Sequence, residues 1–124
     1  MMGSIFQDFF EKGKNRESNG EVIYTNDPLE NTDKQKIRAE ISGRVQGVGF
    51  RFSTKQTADE LGVHGIVRNE PDGTVYAEAV GNRDQLSSFV EALRKGPSPA
   101  AEVDKVVVTY DENIEEKSNF SQAN

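Results

Sequence analysis

Apolar positions begin to recur with a fixed period near Lys36. Ile37, Ala39 and Ile41 alternate with Arg38, Glu40 and Ser42, a period of two that predicts a half-buried strand. Gly43 to Gly49 holds three glycines and predicts a loop of unusual backbone freedom. The period then lengthens. Thr54, Thr57, Ala58 and Leu61 fall at i, i+3, i+4 and i+7, with Lys55, Gln56, Asp59 and Glu60 opposite. This predicts a helix over Arg51–Leu61, stopped by Gly62. Val63–Asn69 and Thr74–Val80 read as two further strands. Between them Glu70-Pro71-Asp72-Gly73 has Pro at i+1 and Gly at i+3, which suits a type I turn and hence a hairpin. Gly81-Asn82-Arg83-Asp84 breaks the third strand and can cap a second helix, whose apolar stripe is Leu86, Phe89, Val90 and Leu93. Gly96-Pro97-Ser98-Pro99 ends that helix, and Ala101–Tyr110 is a fourth strand centred on Val103, Val106, Val107 and Val108.

The order β-α-β-β-α-β predicts an α+β fold, the ferredoxin-like split β-α-β sandwich, with one antiparallel sheet carrying two helices on one face. The expected domain covers residues 35–120. Residues 1–34 read differently. Glu11 to Lys34 is rich in Asn, Asp, Glu and Lys, broken by the short apolar patch Val22-Ile23-Tyr24. So little apolar surface does not offset the entropy of ordering, and a mostly disordered N-terminal extension is expected. Within it, Ile5, Phe6, Phe9 and Phe10 fall on one side of a helix.

Composition narrows the function. The 124 residues carry a formal net charge of -6, which argues against a general nucleic-acid binder but not against a local anion site. There are no cysteines, so disulfides, thiolate metal sites and thiol nucleophiles are excluded. No apolar run approaches the roughly 20 residues that span a bilayer. Met1 to Phe10 lacks a basic n-region and carries Asp8. A cytoplasmic monomer with no membrane partner is expected.

Chemistry concentrates in Gly43-Arg44-Val45-Gln46-Gly47-Val48-Gly49-Phe50-Arg51, which leaves a strand and opens a helix. A helix N-terminus offers unpaired N–H groups and partial positive charge, and a glycine-rich loop lets backbone N–H groups turn toward an anion. A guanidinium in the first helical turn opposes the macrodipole unless an anion visits; Arg51 can fork onto two phosphate oxygens. This is neither a Walker loop nor a Rossmann fingerprint. Asn69, by itself, reads as a residue beside a turn.

These segments together are more specific. Gly-Arg-Val-Gln-Gly-Val-Gly-Phe-Arg, followed eighteen residues after its Arg by the Asn of Gly65-Ile66-Val67-Arg68-Asn69-Glu70-Pro71-Asp72-Gly73-Thr74-Val75, resembles the acylphosphatase family. The similarity runs from about Lys36 to Asp111. It implies a hydrolase that cleaves the carboxyl–phosphate bond of acyl phosphates, with no cofactor and no metal. It implies that Gln46, Gly47, Val48, Gly49, Phe50 and Arg51 bind the phosphoryl group and that Asn69 positions the attacking water. Inorganic phosphate is then both product and inhibitor. Ile66 stands where the family usually has an aromatic residue, and Asn119-Phe120-Ser121-Gln122 is a poor match to the family's last strand, expected here to be short, frayed or missing.

His64 reads as a surface or edge residue, Asp72 as a turn residue, Arg68 and Glu70 as flanking groups, and Arg44 as loop support. The competing function is a non-catalytic ferredoxin-like module that binds an anion or RNA. RNA-binding sheets of this fold display stacked aromatics and basic patches, whereas Tyr76 is the one aromatic of the third strand. A domain of a larger carbamoyl-transfer factor is a further alternative; the chain is too short to hold that factor's other domains.

Overall fold

The computed structural model describes residues 20–124. Six strands form one sheet in the order β1-β5-β2-β4-β3-β6. They are β1 (Glu21–Tyr24), β2 (Lys34–Arg44), β3 (His64–Asn69), β4 (Val75–Asn82), β5 (Glu102–Tyr110) and β6 (Phe120–Gln122). Two helices, α1 (Phe50–Leu61) and α2 (Arg83–Lys95), lie together on one face. The four central strands are antiparallel, as the alternating pattern predicted. The two edges are not: β1 runs parallel to β5, and β6 parallel to β3. The sheet is therefore mixed.

Strand alternation builds the core. Ile37, Ala39 and Ile41 of β2, Val67 of β3, Val75, Ala77 and Ala79 of β4, and Val103, Val106 and Val108 of β5 are buried beneath the helices. α2 presses Leu86, Phe89, Val90 and Leu93 onto them. Asn82 caps α2 in a capping box: its Oδ1 accepts from Gln85 N at 2.8 Å, and Gln85 Oε1 accepts from Asn82 N at 2.8 Å. α1 buries Phe50, Thr54 and Ala58, while Thr57 and Leu61 of the expected stripe are half-buried. Gly62 ends α1 in a Schellman motif, with Gly62 N donating to Asp59 O and Val63 N to Ala58 O.

Residues 20–34 correct the expectation of a mostly disordered extension. Val22 packs against the core, and Glu21–Tyr24 pairs with Lys105–Val108. A pre-formed sheet edge supplies the ladder bonds, so three apolar residues order without a core of their own. Asn26 continues the pairing through its side chain, donating to Tyr110 O at 2.9 Å and accepting from Tyr110 N at 2.8 Å. Gln35, fully buried, closes the connection: its Nε2 donates to Leu29 O and Thr32 O, and its Oε1 accepts from Leu29 N. The helical pattern of Ile5, Phe6, Phe9 and Phe10 lies outside the described residues.

The last strand forms and is three residues long. Phe120 anchors it: the ring is buried and meets Phe89 at 5.8 Å between centroids. Gly65 N donates to Asn119 O and Ala123 N to Val67 O, extending the ladder at both ends. This brings the end of the chain to the C-terminal end of β3.

Candidate active site

The loop between β2 and α1 is pinned at both ends by buried side chains, Val45 and Phe50. Between them Gly47 and Gly49 take the left-handed conformation, with φ of 75° and 79°. A side chain would be strained at either position by the backbone angle alone, since a Cβ would meet open space. Gly49 is the N-cap of α1 and makes no side-chain cap; the first turn holds no acidic residue. Among the described residues, no side chain caps the N–H groups of that turn, and these carry the helix start's partial positive charge.

Gln46 locks the loop to the hairpin. Its Nε2 donates to Glu70 O and to Thr74 O, both at 2.8 Å. The turn itself is closed by Gly73 N donating to Glu70 O and by Asp72 Oδ1, which accepts from Thr74 N and Oγ1. Those bonds from Thr74 hold the Asp72 carboxyl below its ordinary range, and no role beyond the turn is needed for it.

Arg51 and Asn69 are joined through Asn124 at the end of β3. Arg51 Nη1 donates to Ala123 O at 3.0 Å, to Asn124 O and to Asn124 Oδ1 at 3.1 Å. Asn124 also grips the backbone of Asn69: Asn124 Nδ2 donates to Asn69 O at 3.0 Å, and Asn69 N donates to Asn124 Oδ1 at 3.3 Å. The Asn69 side chain, half-buried, has no hydrogen bond among the described residues. Arg51 has five N–H donors in a rigid fork; among the described residues only Nη1 is engaged, which leaves Nε and Nη2 for a ligand. Gly47, Gly49, Arg51, Phe52 and Asn69 line a cleft of about 190 Å³.

The expected site residues thus divide. Arg51, Asn69, Gly47 and Gly49 converge on the cleft. The Phe50 ring is core and Val48 packs against the core, so these two, like Gln46, offer the loop their main chain. Sequence reasoning missed the hairpin tie of Gln46, and it missed Asn124 and Gln122, the latter also lining the cleft. No period or spacing marks these residues.

The flanking groups take the places expected. Arg68 stacks over the Tyr76 ring at 4.3 Å and pairs with Glu70 at 3.4 Å. His64, exposed, meets Lys117 O through Nδ1 at 3.0 Å. Among the described residues no cluster of His, Cys, Asp and Glu is arranged to hold a metal.

Comparison with known proteins points to one family. The family model described as Acylphosphatase matches residues 37–122. An acylphosphatase of Enterococcus faecalis is 45% identical over 86 residues, covering 69% of this chain and 94% of that protein. One of Acaryochloris marina is 54% identical over 72 residues, covering 58% and 76% respectively. The crystal structure of acylphosphatase from Bacillus subtilis superposes with a TM-score of 0.69 at 39% identity, covering 73% of this chain and 99% of that one.

Proposed function

The chain belongs to the acylphosphatase family, and from that premise we propose that the Gln46–Phe50 backbone and Arg51 hold the phosphoryl group while Asn69 orients the attacking water. The protein is a hydrolase that cleaves the carboxyl–phosphate bond of acyl phosphates to a carboxylate and inorganic phosphate. The observation that carries the assignment of roles is the convergence of a glycine loop, an uncapped helix start, Arg51 and an unengaged Asn69 amide on one cleft.

The reaction needs few groups. The leaving carboxylate is weakly basic, so no strong general acid has to protonate it. Catalysis rests on placing water in line and on stabilising charge on the non-bridging phosphoryl oxygens. Loop N–H groups and the free edge of the Arg51 fork supply the second. The Asn69 carbonyl accepts a hydrogen bond from water, and its weak basicity makes it an orienter. As the water oxygen bonds to phosphorus, the P–O bond to the acyl group breaks and its electron pair leaves with the carboxylate. The water proton passes to a phosphoryl oxygen. Every residue given a role here lies in one chain, and action as a monomer is proposed. No helix among the described residues is long and apolar enough to cross a membrane, and a cytoplasmic setting is proposed.

The test is hydrolysis of benzoyl phosphate with and without EDTA, beside inhibition by inorganic phosphate. Turnover that persists with the chelator and competitive inhibition by phosphate are expected. Turnover abolished by EDTA and restored by Mg²⁺ would overturn the mechanism. Replacing Arg51 by Ala should weaken phosphate inhibition and cut turnover steeply while the fold survives.

A further inference from the structure

α1 presents an exposed face made of Phe52, Gln56, Asp59 and Glu60, at i, i+4, i+7 and i+8. Three of these are polar. Phe52 is not, and its residue is 57% exposed, more than Ile23 at 36% or Tyr24 at 49%. The ring contributes nothing to the core, which α1 reaches through Phe50, Thr54 and Ala58. A lone surface aromatic needs no explanation by itself. Phe52, however, follows Arg51 directly and lines the same cleft as Gly47, Gly49, Arg51 and Asn69. Val45 and Phe50 also line that cleft, but both are buried at 1% and 2% exposure, so Phe52 is the lining residue that puts an exposed aromatic surface at the mouth of the proposed anion site.

We infer that Phe52 is the specificity-determining residue for the acyl half of the substrate, favouring acyl phosphates with aromatic or bulky apolar acyl groups over acetyl phosphate. The inference rests on the phosphoryl cradle described above. With the phosphoryl group seated on the loop and Arg51, the acyl group must extend toward the rim, where Phe52 stands. A benzoyl ring can pack on the Phe52 ring by offset stacking; an acetyl methyl covers little of it. An aromatic pair contributes enough beyond simple burial to favour the aromatic substrate about 3- to 10-fold.

The experiment compares kcat/KM for benzoyl and acetyl phosphate in the wild-type protein, Phe52→Ser and Phe52→Trp, with inorganic phosphate inhibition measured on each. Phe52→Ser should lower the benzoyl-to-acetyl ratio about 3- to 10-fold through the KM for benzoyl phosphate, and Phe52→Trp should keep or raise it. Inorganic phosphate has no acyl group and reports on the cradle alone. A ratio unchanged in Phe52→Ser overturns the inference and leaves the cradle standing. Equal losses on both substrates, with weakened phosphate inhibition, overturn it by showing that Phe52 supports the start of α1. A wild-type protein that hydrolyses neither substrate and ignores phosphate overturns the cradle and this inference with it.

Discussion

Replacing Asn69 by Ala separates its side chain from its backbone. The backbone does structural work: it pairs with Val75 in the hairpin and with the Asn124 side chain at 3.0 and 3.3 Å. All of that survives truncation to Ala. The side chain has no hydrogen bond to lose among the described residues and is half-buried. Its removal should cost no more than about 0.5 kcal/mol, the range of substitutions away from packed features. For a domain of this size that is about 4 °C in Tm at most. The proposed phosphoryl cradle is untouched, so the inhibition constant for inorganic phosphate should move by less than about threefold. Turnover should behave differently. Loss of one positioned hydrogen bond in the transition state is worth about 2.7–4 kcal/mol, or roughly 10²–10³ in kcat, by analogy with oxyanion-hole donors. Thermal melting, phosphate inhibition and steady-state hydrolysis of benzoyl phosphate on this one variant give all three quantities. A variant with a clearly lowered Tm and nearly full kcat would refute the water-orienting role and return Asn69 to the turn. A kcat loss that tracks an equal loss of phosphate inhibition would place Asn69 in the cradle instead.

Gln46→Ala should cost about 1–3 kcal/mol in denaturant unfolding, because it removes two hydrogen bonds worth about 0.5–1.5 kcal/mol each, to Glu70 O and Thr74 O, although these carbonyls keep their bonds from Gly73 N and Glu70 N; phosphate inhibition should weaken as the loop loses its tie to the hairpin. A chain beginning at Gly20 should keep near-normal turnover and Tm, whereas one beginning at Lys34 should melt lower. The shorter chain lacks β1 and the Leu29 and Thr32 groups that satisfy buried Gln35; equal melting of the two would show that β1 contributes no stability. Burial, and then the hydrogen bond to Glu78, push Tyr76 up to about 12. The folded protein therefore holds a proton that the unfolded chain releases from about pH 10, so this stability is intact below pH 10 and is lost as pH rises toward 12. Tyr76→Phe should flatten that alkaline loss in part, since burial raises Tyr24 and Tyr110 as well; an unchanged slope between pH 10 and 12 would contradict the assignment.

The central fold was legible in the sequence because its signals are local. Ile37-Ala39-Ile41 alternates, Leu86-Phe89-Val90-Leu93 keeps helical spacing, and Asn82 with Gln85 sits where a capping box belongs. The loop proposed to hold the phosphoryl group was legible for a related reason: glycines with positive φ are a backbone requirement that few residue types meet, and an Arg at a helix start opposes the macrodipole unless an anion visits. The two edge strands were not legible. Val22-Ile23-Tyr24 and Phe120-Ser121-Gln122 are too short to fold on their own pattern, and each is ordered by an edge built from distant residues. The same holds for the site's supports. Nothing within one segment tells that the Gln46 amide reaches Glu70 and Thr74, or that Asn124 joins Arg51 to Asn69. Those contacts span 24 to 73 residues of chain, and the tertiary fold alone decides which distant donors and acceptors meet. The sequence determined which groups can do the chemistry; packing of the edges determined how they are held.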